Sequence, residues 1–173
     1  MQSNDGILRL GQFRDVYVVK HFIDNTRVQS ILNTVDVMEC SYAFKIEDDA
    51  LPLRLAATPL PAWCSAALES LETRARCQQT TLCRFNQLSV LWCAAASLNR
   101  GNSALEPQLA VVALEDNAVF SILSAESTTT TSTSDVELEA GDALLVCDAR
   151  YYKIVTPRAP LLVLRCVGMC LGA

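Results

Sequence analysis

Apolar residues recur at helical spacing in the first half of the chain and at strand spacing in the second half. The β-branched run at residues 15–19 predicts a short strand, and Asp24 then stands where a helix N-cap is expected. Four apolar residues follow at helical spacing: Val28, Ile31, Leu32 and Val35. A second predicted helix opens at the proline-containing segment 58–62. One face of it is apolar: Trp63, Ala67, Leu68, Leu71 and Ala75.

Short apolar runs separated by turn residues replace this pattern from Thr81 onward. After an early strand at 41–46, strands are predicted at 82–92, 107–114, 118–123, 143–147, 151–155 and 161–167. Gly141 and Asp142 form a turn before the strand at 143–147, which is apolar throughout and is expected to be buried on both faces. Residues 94–102 and the Thr/Ser-rich segment 124–134 are predicted loops. This order indicates an α+β fold with a jelly-roll barrel at the C-terminal end.

Composition fits one folded domain over residues 1–173, with helical support at about 15–80 and the barrel at about 81–170. The sequence shows no signal-peptide pattern and no apolar run of the roughly 18 residues that cross a bilayer, so we expect an intracellular, cytoplasmic or nuclear protein. The formal net charge of -5 argues against nucleic-acid binding and leaves protein partners as the expectation.

The candidate metal-binding residues are few. Eight cysteines occur without a Cys-x-x-Cys pair, and we interpret them as small buried residues rather than as zinc ligands. His21 is the one histidine of the chain, and its position before the first helix favours a connector role.

Several segments in shared order resemble the AlkB branch of the iron(II)/2-oxoglutarate dioxygenases. They are FRDVYVVKHFIDNTRVQSIL, LPAWCSAALESL, FNQL, EPQLAVVALEDNAVFSI and VELEAGDALLV. The resemblance implies a double-stranded β-helix (jelly-roll) barrel with two N-terminal supporting helices. It also implies a site for iron and 2-oxoglutarate, in which two histidines and one carboxylate hold the metal.

The metal ligands that this family requires are absent. Its His-x-Asp motif falls on Asn99 and Gly101, and its second histidine falls near Lys153. Glycine has no side chain to bind with, the asparagine amide is a weak ligand and a lysine ammonium repels a cation. Carboxylates nearby (Glu106, Asp148) would suit Mg²⁺ or Ca²⁺ better than iron. The chain therefore resembles a degenerate member without catalytic or metal residues.

The co-substrate side is better preserved. Arg165 matches the arginine that clamps the distal carboxylate of 2-oxoglutarate, and Asn86 matches a pocket asparagine, although Leu88 replaces a neighbouring tyrosine. These two residues bind a dicarboxylate or are structural, and the structural interpretation is preferred because a buried arginine keeps a partner whatever the function.

The leading hypothesis is a catalytically inactive AlkB-like domain that serves as a binding or scaffold module, with no cofactor. The alternative is an active 2-oxoglutarate-dependent dioxygenase, an oxidative demethylase or hydroxylase, with non-standard metal ligands or a partner's histidine; only then would 2-oxoglutarate and Fe(II) be cofactors. A third hypothesis is an unrelated small jelly roll without a small-molecule site.

Overall fold

The computed structural model describes residues 6–11, 13, 16–39, 62–77, 87–91, 97–98, 108–124, 133–147, 152–157 and 159–165. At 34–39, 74–77, 87–91, 97–98 and 165 the description is of the backbone. Two helices are present in these ranges: α1 (Asn25–Glu39) and α2 (Ala62–Cys77). The strands are β1 (Ile7–Arg9), β2 (Val16–Val19), β3 (Gln87–Leu91), β4 (Ser97–Leu98), β5 (Leu109–Ala113), β6 (Ala118–Ser124), β7 (Thr133–Leu138), β8 (Ala143–Val146), β9 (Tyr152–Val155) and β10 (Leu161–Arg165).

The strands form two antiparallel sheets. The larger sheet has six strands in the order β1-β2-β8-β5-β10-β3, and the smaller has four in the order β4-β9-β6-β7. Strand β2 pairs with β8 although the two are far apart in sequence, so the N-terminal part contributes strands as well as helices to the fold. The two sheets with their helices are consistent with the predicted α+β jelly roll.

A hydrophobic core fills the space between the sheets, and a second core lies under the helices. Alternate residues of β2, β5, β8 and β10 face the four-stranded sheet, as Val111, Leu144 and Val163 do opposite Phe120 and Ile154. The residues between them belong to the second core, whose members include Val112, Leu145 and Leu162 of the sheet and Val28 and Leu71 of the helices. Strands β2, β5 and β8 are therefore covered on both faces, which explains why β8 is apolar throughout and entirely buried, as predicted.

The predicted helices are confirmed where the structure describes them. The backbone N–H of Arg27 donates to Asp24 Oδ1 at 2.7 Å, which is the expected N-cap of α1. The predicted apolar faces pack against the second core through Val28, Ile31 and Leu32 of α1 and through Trp63, Ala67, Leu68 and Leu71 of α2. No helix in the described ranges is both long and apolar enough to cross a membrane.

The strand predictions are correct for the long apolar runs and wrong at the short or polar ones. Strand β4 lies inside the predicted loop 94–102, and β1 was not predicted. Strand β7 begins within the predicted loop 124–134, and β6 extends to Ser124. The predicted strand at 41–46 lies outside the described residues.

Candidate functional site

Arg165 ends β10 in a row that crosses the six-stranded sheet. Its backbone is paired with Leu109 of β5, Leu109 is paired with Val146 of β8, and Val146 with Val16 of β2. We call this row the Arg165 end of the sheet. On the same strand, Leu161 and Val163 face the four-stranded sheet.

Two aromatic residues meet in the core between the sheets. Phe13 lies in the loop that leads into Val16, where the Leu10 N–H donates to the Val16 carbonyl and the Phe13 N–H donates to the Leu10 carbonyl. Its ring meets Tyr152 of β9 edge to face, with 5.7 Å between ring centroids. Both belong to the core between the sheets, with 3% of Phe13 and 6% of Tyr152 exposed. Because the Phe13 loop enters at Val16, the pair fills this core from the Arg165 end with apolar and aromatic groups.

The single histidine lies at the opposite end of the six-stranded sheet. His21 follows β2 by two residues, and the last residue of β2, Val19, pairs with Ala143 rather than with the Arg165 row. Three residues of strand separate Val19 from Val16, which is about 10 Å along the sheet. His21 is exposed, has a positive φ of 50°, and its backbone N–H donates to Asp142 Oδ1 at 3.0 Å. It is a connector residue, as its position in the sequence predicts.

A buried carboxylate connects this opposite end to the turn before β8. Asp142 is 1% exposed, and its carboxylate accepts hydrogen bonds from the Lys20 ammonium and from the backbone N–H groups of His21 and Glu139. Gly141 precedes it with a φ of 90°, as the turn requires, and the Ile23 N–H donates to the Gly141 carbonyl. This acid has its donors already and joins the helical layer to the sheet, which is a structural role.

Lys153 lies on the outer face of the four-stranded sheet. It is exposed, while its neighbours on β9, Tyr152 and Ile154, are buried in the core between the sheets. The positions of this strand that face the core are therefore Tyr152 and Ile154, and neither is a histidine. The outward position of Lys153 on β9 therefore gives no support to its assignment as a degenerate ligand position, because a metal ligand would face the core.

The remaining sequence-predicted site residues lie outside the described residues. They are Asn86, Asn99 and Gly101. Asn86 directly precedes Gln87, whose backbone is paired with Arg165, and Asn99 directly follows β4. Within the described ranges, no three His, Cys, Asp or Glu side chains form a group that could hold a metal ion.

Sequence reasoning missed the aromatic pair. Tyr152 lies in a run with strand character, but nothing in the period of the sequence places Phe13, a loop residue, in the core. The one local signal for the burial of Phe13 is its size and aromatic character, because exposing such a side chain to water is unfavourable.

No protein-family model matches the sequence, and no curated protein is similar to it. Solved structures are similar in fold. A prolyl-4-hydroxylase from Pseudomonas putida superposes with a TM-score of 0.56 at 14% identity, covering 91% of this chain and 95% of that one. OsALKBH1 gives a TM-score of 0.59 at 12% identity, over 89% and 99% of the two chains. A Trichoplax adhaerens prolyl hydroxylase, solved with a peptide fragment of the hypoxia-inducible factor oxygen degradation domain, gives 0.58 at 12% identity, over 90% and 85%.

These similar structures are double-stranded β-helix dioxygenases that use iron(II) and 2-oxoglutarate. At identities this low the similarity establishes that the chain shares the fold of these structures and no more. Prolyl hydroxylases and an AlkB homologue are both among the similar structures, so the AlkB branch is not singled out within this fold.

Proposed function

We propose that this chain is a catalytically inactive dioxygenase-fold domain that acts as a binding or scaffold module for a protein partner. The observation that carries the proposal is the position of His21, the one imidazole of the chain, at the end of the sheet opposite to Arg165. A fold of this kind can persist without its chemistry, because activity depends on the groups of one site rather than on the scaffold.

The donor set does not fit iron. Non-haem iron in these enzymes is held by two imidazoles and a carboxylate on one face of the metal, and a single chain with one histidine lacks the second imidazole. His21 is moreover exposed and fixed by its backbone to the turn before β8. The residues of this chain therefore offer iron no facial triad of the usual kind.

The filling of the core at the Arg165 end also supports inactivity. A metal ion and a dianionic co-substrate need polar partners, because burying a charge among apolar groups without partners is costly. The apolar cluster at this end includes Phe13, Tyr152, Leu109 and Val146, whereas Gln108, which is buried and directly precedes Leu109, is polar.

The test is metal loading followed by turnover. Purified chain is incubated with Fe(II) and 2-oxoglutarate without oxygen, bound iron is measured after desalting, and succinate formation is followed after oxygen is admitted. The Pseudomonas putida prolyl-4-hydroxylase serves as the positive control. We expect no stoichiometric iron and no succinate above the background. Bound iron at one equivalent together with succinate formation would overturn the proposal in favour of a dioxygenase with non-standard ligands.

One observation favours a second function, retained binding of a dicarboxylate. The backbone of Arg165 on β10 is paired with Gln87 of β3, and Gln87 directly follows Asn86 in the chain. An arginine there presents the planar fork that suits a carboxylate.

Titration of the metal-free chain with 2-oxoglutarate tests this second function. The Arg165→Gln variant removes the charge, and Lys153→Gln makes the same charge change on the exposed outer face of β9. Binding that is lost in Arg165→Gln and kept in Lys153→Gln would support a dicarboxylate site. If neither the natural chain nor the control variant binds 2-oxoglutarate, Arg165 is a structural residue.

A further inference from the structure

The four-stranded sheet ends at β7, and within the described residues no strand pairs with the far edge of β7. Six consecutive residue pairs join β7 to β6, from Ala118 with Leu138 to Leu123 with Thr133. Val136 and Leu138 are 8% and 0% exposed and anchor the strand in the core between the sheets. In an antiparallel edge strand, about half of the backbone N–H and C=O groups point away from the one neighbour it has.

Strand β7 and the residue after it carry only acidic charges, and β6, the strand that β7 pairs with, carries no charged residue. Asp135 and Glu137 are exposed on β7 and Glu139 directly after it. Lys153 of the same sheet lies on β9, two strands away, which is about 10 Å at the usual spacing of strands.

The edge lacks most devices that keep sheet edges from pairing. Such edges are usually very short, bulged, interrupted by proline or marked with lysine. Strand β7 is six residues long, has no proline and keeps an unbroken register with β6. Its acidic side chains prevent pairing with another acidic strand, including β7 of a second copy of the chain, because like charges on adjacent strands repel. The same side chains attract a strand of opposite charge.

From this combination we propose that β7 binds an extended, basic segment of a partner protein by strand addition. The backbone of the segment pairs with the open edge of β7, and Lys or Arg at alternate positions faces Asp135 and Glu137. The inference rests on the proposal that the chain is a binding module, and it names the surface and the chemistry of the partner. Val119 of β6 is 45% exposed and is paired with Glu137 of β7. Its side chain offers an apolar contact to the aliphatic parts of the basic residues.

The probe is a synthetic peptide of about eight residues that alternates lysine and valine and is capped at both ends. It is titrated into the isotope-labelled full chain at low salt, and the backbone amide signals are followed by nuclear magnetic resonance. We expect saturable binding below roughly 1 mM, weakened by added salt, with the largest shifts at residues 133–138. A peptide with the same side chains and all backbone nitrogens methylated should bind at least about tenfold more weakly, because it cannot complete the ladder.

Two matched variants separate this edge from general charge attraction. Glu137→Lys reverses a charge on β7, and Glu69→Lys makes the same reversal on the exposed face of α2. Glu137→Lys should weaken peptide binding about three- to tenfold, and Glu69→Lys by less than about twofold. Both sites are exposed, so both variants should fold, which circular dichroism checks.

Four outcomes would overturn the inference. They are absence of binding up to roughly 1 mM, equal weakening by the two variants, equal binding of the methylated peptide, and shifts centred away from β7. Self-association of the chain, with β7 amide signals that the peptide does not shift, would also overturn it. In that case the strand that pairs with β7 would come from a second copy of the chain. None of these readouts involves metal, so failure here leaves the proposed inactivity standing, and iron binding would overturn the inactivity without touching β7.

Discussion

The two sheets differ in what covers their outer faces. On the six-stranded sheet, β2, β5 and β8 are buried at every residue because α1 and α2 pack against the face that is turned away from the other sheet. On the four-stranded sheet, β6, β7 and β9 alternate between buried and more exposed residues, since among the described elements nothing packs on its outer side.

Because of this difference, substitutions in the two sheets should have different effects. The six-stranded sheet contributes to both cores, so substitutions there act on stability. The outward-facing residues of the four-stranded sheet belong to neither core, and no described element covers them. Substitutions at those residues should act on binding with little change in the free energy of unfolding.

The largest effect is expected at the turn that connects the helical layer to the six-stranded sheet. A Cβ on Gly141 would lie 2.3 Å from the carbonyl oxygen of Ile23, and the φ of 90° is unfavourable for any residue with a side chain. Gly141→Ala should therefore lower the free energy of unfolding by about 3 kcal/mol or more, measured by urea denaturation.

Asn117 supplies the control for this prediction. It has a positive φ of 57° in the exposed turn before β6. Asn117→Gly should change stability by less than about 0.5 kcal/mol. Equal effects at the two turns would mean that the covered sheet is no more sensitive than the open one.

A leucine pair on the two outer faces gives the next largest effect. Leu145 of β8 is fully buried under the helices, and Leu123 of β6 is half-buried on the open face. Leu145→Ala should cost about 2–5 kcal/mol, whereas Leu123→Ala should cost less than about 1 kcal/mol, because only the first leaves a cavity. Thermal and urea unfolding of both variants measure the difference; a large loss at Leu123 would reveal that its face is covered in the folded chain.

The smallest effect concerns a thiol beneath the covered face. Cys64 of α2 is fully buried, and desolvation raises its pKa from 9.0 to about 11. At pH 8 about one molecule in a thousand is then thiolate. Alkylation of Cys64 in the folded chain should be about a hundredfold slower than in urea, where the usual pKa applies, as followed by peptide mass spectrometry.

The same shift gives a sign for the pH dependence of stability. The folded state holds the Cys64 proton more tightly than the unfolded state, so its contribution is complete below pH 9.0 and is lost as the pH rises toward about 11. The Cys64→Ala variant serves as the control for all other titrating groups. If the free energy of unfolding of the natural chain, relative to this variant, increased between pH 9 and 11, the raised pKa of Cys64 would be contradicted.

The sequence predicted those elements that have a strong period. The helical stripes of α1 and α2 and the apolar runs of β5, β6, β8, β9 and β10 were recovered because burial on one or both faces leaves a regular pattern. Strand β7 was missed because its outer residues are polar and only Val136 and Leu138 carry the inward period. Strand β4, two residues long, is too short to leave any period.

The candidate site was predicted less well, for two physical reasons. The place of Arg165 at the end of the last apolar strand could be predicted from LLVLR, but the register around Lys153 could not, since a shift of one residue exchanges the two faces of β9. The contact of Phe13 with Tyr152 depends on how a loop enters a core, which is a tertiary property without a local signature.

The place of β10 has a consequence for synthesis on the ribosome. This strand joins β5 to β3 in the six-stranded sheet, although both partners are made well before it. Until translation has passed residue 165, the nascent chain carries a four-stranded ladder that ends at β5 and a separate strand, β3, both with an unpaired edge. Chaperone dependence and misassembly should therefore peak in chains arrested just short of residue 161 and fall once this connecting strand has been released.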